Sequence, residues 1–492
     1  MKHEIRDIKQ QAHGVRQKNK KGSALMYALV IMTVVMVILV SMMSYISGQL
    51  RFSFNRVEKE KAFQVAEAGI YYYRWYLAHQ TSGKTALEIN TYLQTGGPMG
   101  FSPAAEDYEG IGEYQLIITP PVAGSTVVNV KSIGWSYKVP DMKRTISVRF
   151  RRPSWSEYIF LSNSFINFGD QAEVFGKVHS NGGIRFDGIA HSMVSSLLPK
   201  FDDPTWGGNR LQFGVHTTNN PADPDAPAYP WPSGTVPDRP DVFMGGRSFP
   251  VSAVSFTGVT TDLANAKNQS QNGHGKYFDS TGLGRRIILK SDGTYDVCTV
   301  DWANGNLHTI SRYLRSSGGG TCSSCSGLCL SNYPIPNDGI IFVEDNVWLE
   351  GTINNKRLSI VAANLSGGGT QKDIYIGINN TNLRYAAYDC NNMLGLVAQR
   401  DVRVLGECPD DFVVDAALLA QTGTVGINDN GFSGKTSLTF NGAIASYLQP
   451  YFAHGNDGFA VRTYNFDNNL LYCPPPYFPT GTEFTIDLWE EL

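Results

Sequence analysis

The chain has 492 residues, with 41 Lys and Arg against 44 Asp and Glu, which gives a net charge of −3. This near-balance argues against a nucleic-acid-binding protein, because such proteins carry a basic excess. Aromatic residues make up 12% of the chain, too many for a disordered protein, and the 50 glycines together with a charged fraction of only 17% favour an ordered, mainly β protein of several domains.

The N-terminus combines a basic segment with a long uncharged one. Seven Lys and Arg lie within residues 1–21, and the 29 residues from Gly22 to Leu50 contain no Lys, Arg, Asp or Glu. As a helix this run spans about 43 Å, more than the ~30 Å hydrocarbon core of a bilayer. The positive-inside rule predicts a cytoplasmic N-terminus and an extracytoplasmic remainder. The run is too long for the apolar part of a signal peptide, so an uncleaved single-pass anchor is one interpretation.

The helical pattern continues beyond the membrane length. Between Leu50 and Leu77 apolar residues recur mostly three and four positions apart, with charged residues between them. This spacing is typical of an amphipathic helix. We therefore predict one helix over residues 23–80, with its first half in lipid or a filament core and its second half packed on a globular domain.

Two short motifs at the N-terminus resemble those of a known family. The junction from Lys20 to Leu25, Lys-Lys-Gly-Ser-Ala-Leu, resembles the leader site of type IV prepilins, which is cut after the glycine. The stretch from Lys61 to Gly69, Lys-Ala-Phe-Gln-Val-Ala-Glu-Ala-Gly, is similar to a segment of the PilX-type minor pilins. The resemblance implies that prepilin peptidase removes a basic leader, residues 1–22, between Gly22 and Ser23. It also assigns membrane or filament contacts to Ala24, Leu25, Tyr27, Phe63, Ala66, Glu67 and Gly69.

One position departs from the pilin pattern. Most major pilins have a glutamate at the fifth mature position, where this chain has Tyr27. In related filaments that glutamate is thought to pair with the N-terminal amine of a neighbouring subunit, and a buried carboxylate without a partner is costly. Its absence favours a subunit at the tip of a filament. The alternative is that PilX-like proteins often lack this glutamate and that Tyr27 says nothing about position.

Residues 81–155 read as a small β domain. Strand-like segments occur at 113–119, 126–135 and 143–150, and the last alternates apolar and polar residues. Three antiparallel strands behind a long helix would form a pilin head whose sheet covers the apolar stripe of the helix.

Residues 156–492 are rich in short apolar segments separated by Gly and Asn turns. This pattern is typical of a β-solenoid, here a parallel β-helix, with a β-sandwich as the alternative. Residues 201–250 hold nine prolines and are expected to form a surface excursion. Trp206, Tyr229 and Trp231 would fasten it to the core, and stacking on sugars is the alternative role for them. The predicted class is thus α+β, mainly β.

The chain has seven cysteines. Outside the membrane disulfides are the expected state. Cys390 and Cys408 lie 18 residues apart, about one solenoid turn, so a bridge between them is plausible and Cys473 would remain unpaired. A zinc site is the weaker alternative, because Cys322, Cys325 and Cys329 lie close together and Cys298 could be a fourth ligand. The residues considered for disulfides are Cys298, Cys322, Cys325, Cys329, Cys390 and Cys408.

Motifs that carry catalysis are lacking in the sequence. There is no G-x-S-x-G, no phosphate-binding G-x-x-x-x-G-K-[ST] and no H-E-x-x-H. His179, Asp187 and His191 occur in strand or turn contexts without further ligands at suitable spacing, so a structural role is expected for them. The sequence therefore predicts a protein that is not an enzyme and needs no cofactor.

These features together predict a minor pilin-like structural protein. It would sit in the membrane with a cytoplasmic N-terminus before assembly, and then in an extracellular type IV pilus or related filament. Prepilin peptidase, other pilin subunits and the assembly machinery are the expected partners. A tip or surface location suits adhesion to, or display toward, a surface glycan or protein receptor, and nucleic acid is not expected. The alternative is an uncleaved, surface-anchored β-solenoid protein that binds or processes polysaccharide.

Overall fold

The computed structural model describes residues 21–492 apart from 83, 85, 122–126, 153, 208–209, 255, 257–258, 274, 301–328, 337–338, 367–368, 428–431, 433, 455–456 and 480–483. The predicted leader, residues 1–22, lies almost wholly outside the described residues. The described α-helices are α1 (Lys21–Thr81), α2 (Ala86–Thr95) and α3 (Val259–Gln271). Short 3-10 helices occupy Gly97–Met99, Trp155–Glu157, Ile378–Asn380 and Asn468–Leu471.

Helix α1 is one continuous element of 61 residues, which corresponds to about 90 Å at 1.5 Å per residue. The long N-terminal helix predicted for residues 23–80 is confirmed. From Ala24 to Val57 every residue is exposed, and this half contains the apolar stretch that could cross a membrane. The buried face begins at Glu58 and continues on the helical repeat. Its apolar members are Ala62, Val65, Ala66, Ile70, Tyr73 and Leu77, each 3% exposed or less.

The small sheet is antiparallel and packs on the second half of α1. Its strands are β1 (Glu106–Tyr108), β2 (Gly112–Thr119), β3 (Val128–Ser136), β4 (Val139–Arg151) and the C-terminal β32 (Thr485–Glu491), in the order β1-β2-β3-β4-β32. Strands β2 to β4 correspond to the three predicted ones, and the alternation on β4 buries Ile146, Val148 and Phe150 against α1.

The edge strand β32 differs from the prediction, which placed residues 156–492 in a separate domain. It pairs with β4 so that Thr485 faces Arg151. Phe484 and Ile486 pack on the core between α1 and the sheet. The open edge of β4 is thus paired with a segment that lies more than 300 residues later in the chain.

The other strands belong mainly to one large, mostly parallel sheet system. They are β5 (Phe160–Ser162), β6 (Ile166–Phe168), β7 (Ala172–Phe175), β8 (Val178–Ser180), β9 (Ile184–Phe186), β10 (Ile189–Ala190), β11 (Val194–Ser196), β12 (Lys200–Asp202), β13 (Leu211–Phe213), β14 (Val215–His216), β15 (Arg247–Ser248), β16 (Lys276–Phe278), β17 (Gly284–Leu289), β18 (Thr294–Val300), β19 (Cys329–Pro334), β20 (Ile340–Val343), β21 (Asn346–Ile353), β22 (Arg357–Ala362), β23 (Ile374–Ile376), β24 (Leu383–Tyr385), β25 (Met393–Ala398), β26 (Val402–Val404), β27 (Asp411–Ala420), β28 (Val425–Ile427), β29 (Lys435–Ser446), β30 (Ala453–His454) and β31 (Asp457–Phe466).

The parallel pairs form three series of neighbouring strands. The first series is β16-β20-β22-β25-β27-β29-β5-β8-β11-β15. The second runs β17-β21-β23-β26-β28 and, separately, β6-β9-β14. The third is β21-β24-β27-β29-β31-β7-β10. A β-sandwich is built from antiparallel sheets, so the large parallel region differs from that alternative.

The stacking order differs from the chain order. The chain enters the first series in its middle, where β5 lies on β29 and Ser162 faces Ser446. It proceeds to β15 at one end and resumes at β16 at the opposite end. Four serines at equivalent positions, which are Ser446, Ser162, Ser180 and Ser196, are fully buried and follow one another across this junction.

The outer face of the first series is also apolar and needs a cover. Leu161, Phe342, Val397 and Leu419 form a cluster there with residues of other segments. The covering residues come from the 3-10 helix Trp155–Glu157, from the connection after β15, from α3 and from the chain near the C-terminus; they are Trp155, Phe256, Leu263, Ala266, Leu470 and Phe478. The Pro-rich segment 201–250 is mostly irregular between β14 and β15, where Trp231 contacts Phe213 and Phe249.

Candidate functional site

The first half of α1 presents the predicted filament and membrane residues to the surroundings. Gly22 and Ser23 lie in the first turn of the helix. Ala24 is exposed, and Leu25 and Tyr27 are 72% and 71% exposed. The exposed apolar residues continue from there to Val57. So large an apolar surface is unfavourable in water, because each buried methylene is worth about 0.8 kcal/mol. This half of the helix therefore needs lipid or other protein around it.

The second half of α1 meets the small sheet through residues with little or no side chain. Ala66 is fully buried, and a Cβ atom on Gly134 of β3 would collide with the backbone of Ala62 and Ala66. A Cβ atom on Gly69 would collide with Ser132 and Tyr114. The small residues thus let helix and sheet approach to backbone contact. Ala66 and Gly69 support the head and are not available to a filament neighbour.

Two other predicted residues of α1 lie at the edge of this contact. Phe63 is half-buried, and the guanidinium of Arg144 lies 5.5 Å from the centre of its ring. Glu67 is also half-buried. Both therefore belong to the boundary between the head and the exposed surface of the helix.

Glu58 is a buried acidic residue that the sequence analysis did not single out. It is 1% exposed, although it lies where the helix enters the head. Its carboxylate accepts a hydrogen bond from Ser136 of β3 and from Lys61 Nζ, the latter at 2.8 Å. Glu58 precedes Ala62 by four residues, so its place on the buried stripe was visible in the helical spacing. The contact with Ser136 ties the start of the buried stripe to the end of β3.

Exposed aromatic residues lie on the opposite side of the same helical segment. Tyr71 is 52% and Trp75 is 55% exposed. Tyr71 lies 6.1 Å from Trp489 of β32 between ring centres, and Trp75 lies 4.4 Å from His79. The aromatic surface of the helix is thus continued by the C-terminal strand.

The cysteines pair differently from the prediction. Cys390 forms a disulfide with Cys473, with their Cα atoms 5.5 Å apart. Cys408 is a free, buried thiol, and burial raises its pKa to about 12. The expected Cys390–Cys408 bridge and an unpaired Cys473 are therefore wrong, because Cys473 lies on the segment that returns across the sheet surface. Cys298 is also disulfide-bonded.

Metal and acid–base sites were minor alternatives. Cys322 and Cys325, central to the weaker zinc hypothesis with Cys329, lie outside the described residues. Within the described ranges, no group of three His, Cys, Asp or Glu could hold a metal ion. His179 contacts Ser195 Oγ at 3.0 Å, whereas His191 contacts Glu173 at 2.9 Å and stacks on Phe175. Asp187 instead pairs with Arg185 at 2.7 Å, so each member of the proposed set has its own partners.

Acidic residues form a column along the large sheet that the sequence analysis missed. Asp345, Asp373 and Asp401 precede β21, β23 and β26 and are spaced 28 residues apart. Lys372 pairs with Asp345 at 3.0 Å, and Arg400 donates from Nε to Asp373 at 2.8 Å. Asp345 and Asp373 are thus each held by a basic residue of the next level, whereas Asp401 pairs with Arg403 of its own level at 3.1 Å. The basic-Asp-[Ile/Val] motif at Asp373 and Asp401 was the signal for this column, and Asp345 lies 28 residues earlier without it.

Comparison with known proteins finds a similarity for the N-terminal helix. Residues 21–70 match the family model "PilX N-terminal". The chain also matches the crystal structure of the competence-associated pilin ComZ from Thermus thermophilus, at 15% identity over 88% of this chain and 98% of that one, with a TM-score of 0.30. So low a score carries no argument about the fold. No curated protein matches the chain. Residues 21–70 are thus similar to the N-terminal segment of PilX-type proteins.

Proposed function

We propose that this protein is a minor pilin-like structural subunit. The observation that carries the proposal is helix α1, whose first half is apolar and exposed while its second half is fixed into a small antiparallel sheet. The match of residues 21–70 to the PilX N-terminal model supports the same reading. Pilins of this kind are structural proteins, and we assign this chain no catalytic role.

The maturation that we infer is cleavage by prepilin peptidase between Gly22 and Ser23. It would leave the apolar half of α1 at the new N-terminus, first in the membrane and then among the helices of other pilin subunits. The exposed residues Ala24, Leu25 and Tyr27 would meet those neighbours. Tyr27, in place of a carboxylate, suits a subunit that has no neighbour ahead of it, and we place this one at the tip or surface of a type IV pilus or related filament.

The large parallel region is the part that such a subunit would display. We infer that its three series of strands are the faces of a β-solenoid and that one strand from each series makes up one turn. The in-register parallel pairs support the interpretation as a solenoid. The column of buried serines, which continues from Ser446 through Ser162 and Ser180 to Ser196, supports it as well. A large β domain at a filament tip suits display toward, or adhesion to, an external surface.

N-terminal sequencing of the mature protein tests the proposal. In cells with prepilin peptidase the mature chain should begin at Ser23, and in cells without it the chain should retain residues 1–22. A Gly22→Asp variant should keep the leader in both strains. Gly48→Ala is the matched control, since nothing lies within 4 Å of a Cβ at Gly48, and it should be processed normally. A leader retained by the wild-type chain in the presence of the peptidase would instead show an uncleaved anchor.

A further inference from the structure

The wall of the large domain has a gap at the junction where β29 and β31 stack on β5 and β7. In the first series β29 pairs with β5, and in the third β31 pairs with β7. Strand pairing therefore continues across the junction in both series. In the second series Tyr451 bridges to Gly426 on one side. Among the described residues, no strand pairing joins this segment to β6 on the other side. Pro450 also lacks the N–H group that a ladder would need there.

This gap opens into a cavity of about 550 Å³. That volume is within the range of roughly 300–1,000 Å³ for small-molecule sites. Its floor is aromatic. Phe160 lies edge-to-face with Phe168 at 4.9 Å and with Tyr464 at 4.8 Å between ring centres. The segment 449–453 and β6 both contribute to its lining, which includes Tyr451 and Phe452.

Among the described residues, the Tyr464 hydroxyl and Asn167 Oδ1, two polar groups of the cavity lining, have no hydrogen-bond partner. Tyr464 is 3% exposed, and burial raises the pKa of its hydroxyl. Asn167 Oδ1 is buried and also has no hydrogen-bond partner among the described residues. Buried polar groups are nearly always paired, because an unpaired one loses its hydration without compensation. A hydroxyl-bearing ligand would satisfy both groups.

Arg462 adds an uncompensated positive charge to the lining. Its Nη1 donates to the carbonyl of Phe459 at 2.6 Å and more weakly to that of Ala460 at 3.4 Å. Within the part of the chain that the structure describes, no acidic side chain lies within 4.0 Å of its guanidinium, although most other arginines of this domain have such a partner. The fork of N–H donors suits a carboxylate.

We propose that this cavity binds an acidic sugar residue. The apolar face of the sugar ring would lie on the aromatic floor, its hydroxyls would pair with Tyr464 and Asn167, and its carboxylate would pair with Arg462. Neither a neutral hexose nor a simple carboxylate would use all three features. This site does not depend on leader cleavage or on assembly into a filament, so its test is independent of the proposed function.

Calorimetric titration of the full chain in detergent tests the wild-type site with three probes. D-galacturonate has the ring, the hydroxyls and the charge, D-galactose has no charge, and acetate has only the carboxylate. We expect saturable binding of galacturonate, at least tenfold tighter than that of galactose or acetate. Equal affinity for galactose, equal affinity for acetate, or no binding of galacturonate at millimolar concentration would each overturn the proposal.

Substitutions in the cavity test which residues bind the sugar. Arg462→Gln should weaken galacturonate binding at least tenfold and leave galactose binding unchanged, whereas Tyr464→Phe should weaken binding of both sugars several-fold. Arg384→Gln is the matched control, since Arg384 is half-exposed on β24 and does not line the cavity; it should have no effect. An Arg462→Gln variant with wild-type affinity would refute the assignment. If that variant fails to fold, as judged by its thermal transition, the preference of the wild type for galacturonate over galactose decides.

Discussion

At the scale of single residues, the position of α1 on the small sheet depends on residues that have a small side chain or none. Gly134 allows the backbone of β3 to touch the backbone of α1 at Ala62 and Ala66. Because the atoms on both sides belong to main chains, neither side can move away by changing a rotamer. A glycine that looks unremarkable in a strand pattern therefore sets the distance between the helix and the sheet.

We predict that Gly134→Ala lowers the free energy of unfolding of the head by about 2 kcal/mol, as overpacking of a tight core contact does. Urea titration of the full chain in detergent, followed by tryptophan fluorescence, measures the change. Gly48→Ala adds the same methyl group to an open position of α1 and should be neutral or slightly stabilising. Equal effects of the two substitutions would show that the close approach does not matter for stability.

The burial of some residues of α1 was predictable from the sequence, and the burial of others was not. Tyr73 and Leu77 follow the apolar helical period, so their burial was predictable from the sequence. Glu58 follows the same period, but its charge suggested exposure. Only the tertiary partner Ser136 explains its burial, and that partner lies 78 residues away.

At the scale of elements, the segment before β32 is fastened to the large domain by a covalent bond. The disulfide between Cys390 and Cys473 closes a loop of 83 residues. It joins the turn before β25 to the segment that covers the outer face of the first series, where Leu470 and Phe478 are buried. A disulfide that closes a long loop removes entropy from the unfolded chain.

Loss of this disulfide should therefore destabilise the covering segment. We predict that the double variant Cys390→Ser, Cys473→Ser is roughly 2–4 kcal/mol less stable than the oxidised wild type. Hydrogen exchange of peptides spanning 468–479 measures the local opening, and thermal unfolding measures the total loss. The α1–sheet contact in the same molecules is the internal reference and should keep its protection. An unchanged exchange rate at 468–479 would contradict this role.

Elements that depend on near neighbours were predictable, and those that depend on distant ones were not. β2, β3 and β4 follow each other and alternate, so the sequence predicted them. β32 could not be recognised as their partner, because its contact with β4 joins residues 334 apart, as in the hydrogen bond from Thr485 to the carbonyl of Arg151. Cys473 was misjudged for the same reason.

At the scale of the whole molecule, the large domain is built from two parts of the chain that stack end to end, the later part, β16 to β31, on the earlier part, β5 to β15. The level made by β5 and β7 lies between the level of β29 and β31 on one side and the level of β8 and β10 on the other. Short parallel strands of adjacent levels have nearly the same apolar pattern, so the sequence predicted stacked strands without their order. Which level follows which is decided by the connections between them.

This arrangement predicts how fragments behave. A fragment of residues 21–250 would expose the edges of β5 and β7, and exposed edges of parallel strands favour aggregation. We expect residues 21–250 and 251–492 each to aggregate when expressed alone and to copurify as a soluble complex in detergent when expressed together. Copurification through a tag on one fragment, followed by circular dichroism, is the measurement. A soluble, folded 21–250 fragment would argue against this stacking of one part on the other.

The pairing of β4 with β32 also has a mechanical consequence. The chain leaves the small sheet at Arg151 and returns to it at Thr485, and these two residues face each other on adjacent strands. A pulling force on the large domain would thus be transmitted to the small sheet through two chain connections at once, one after Arg151 and one before Thr485. To detach the domain, the force would have to shear both strands along their lengths at the same time, which loads many hydrogen bonds together instead of opening them one by one.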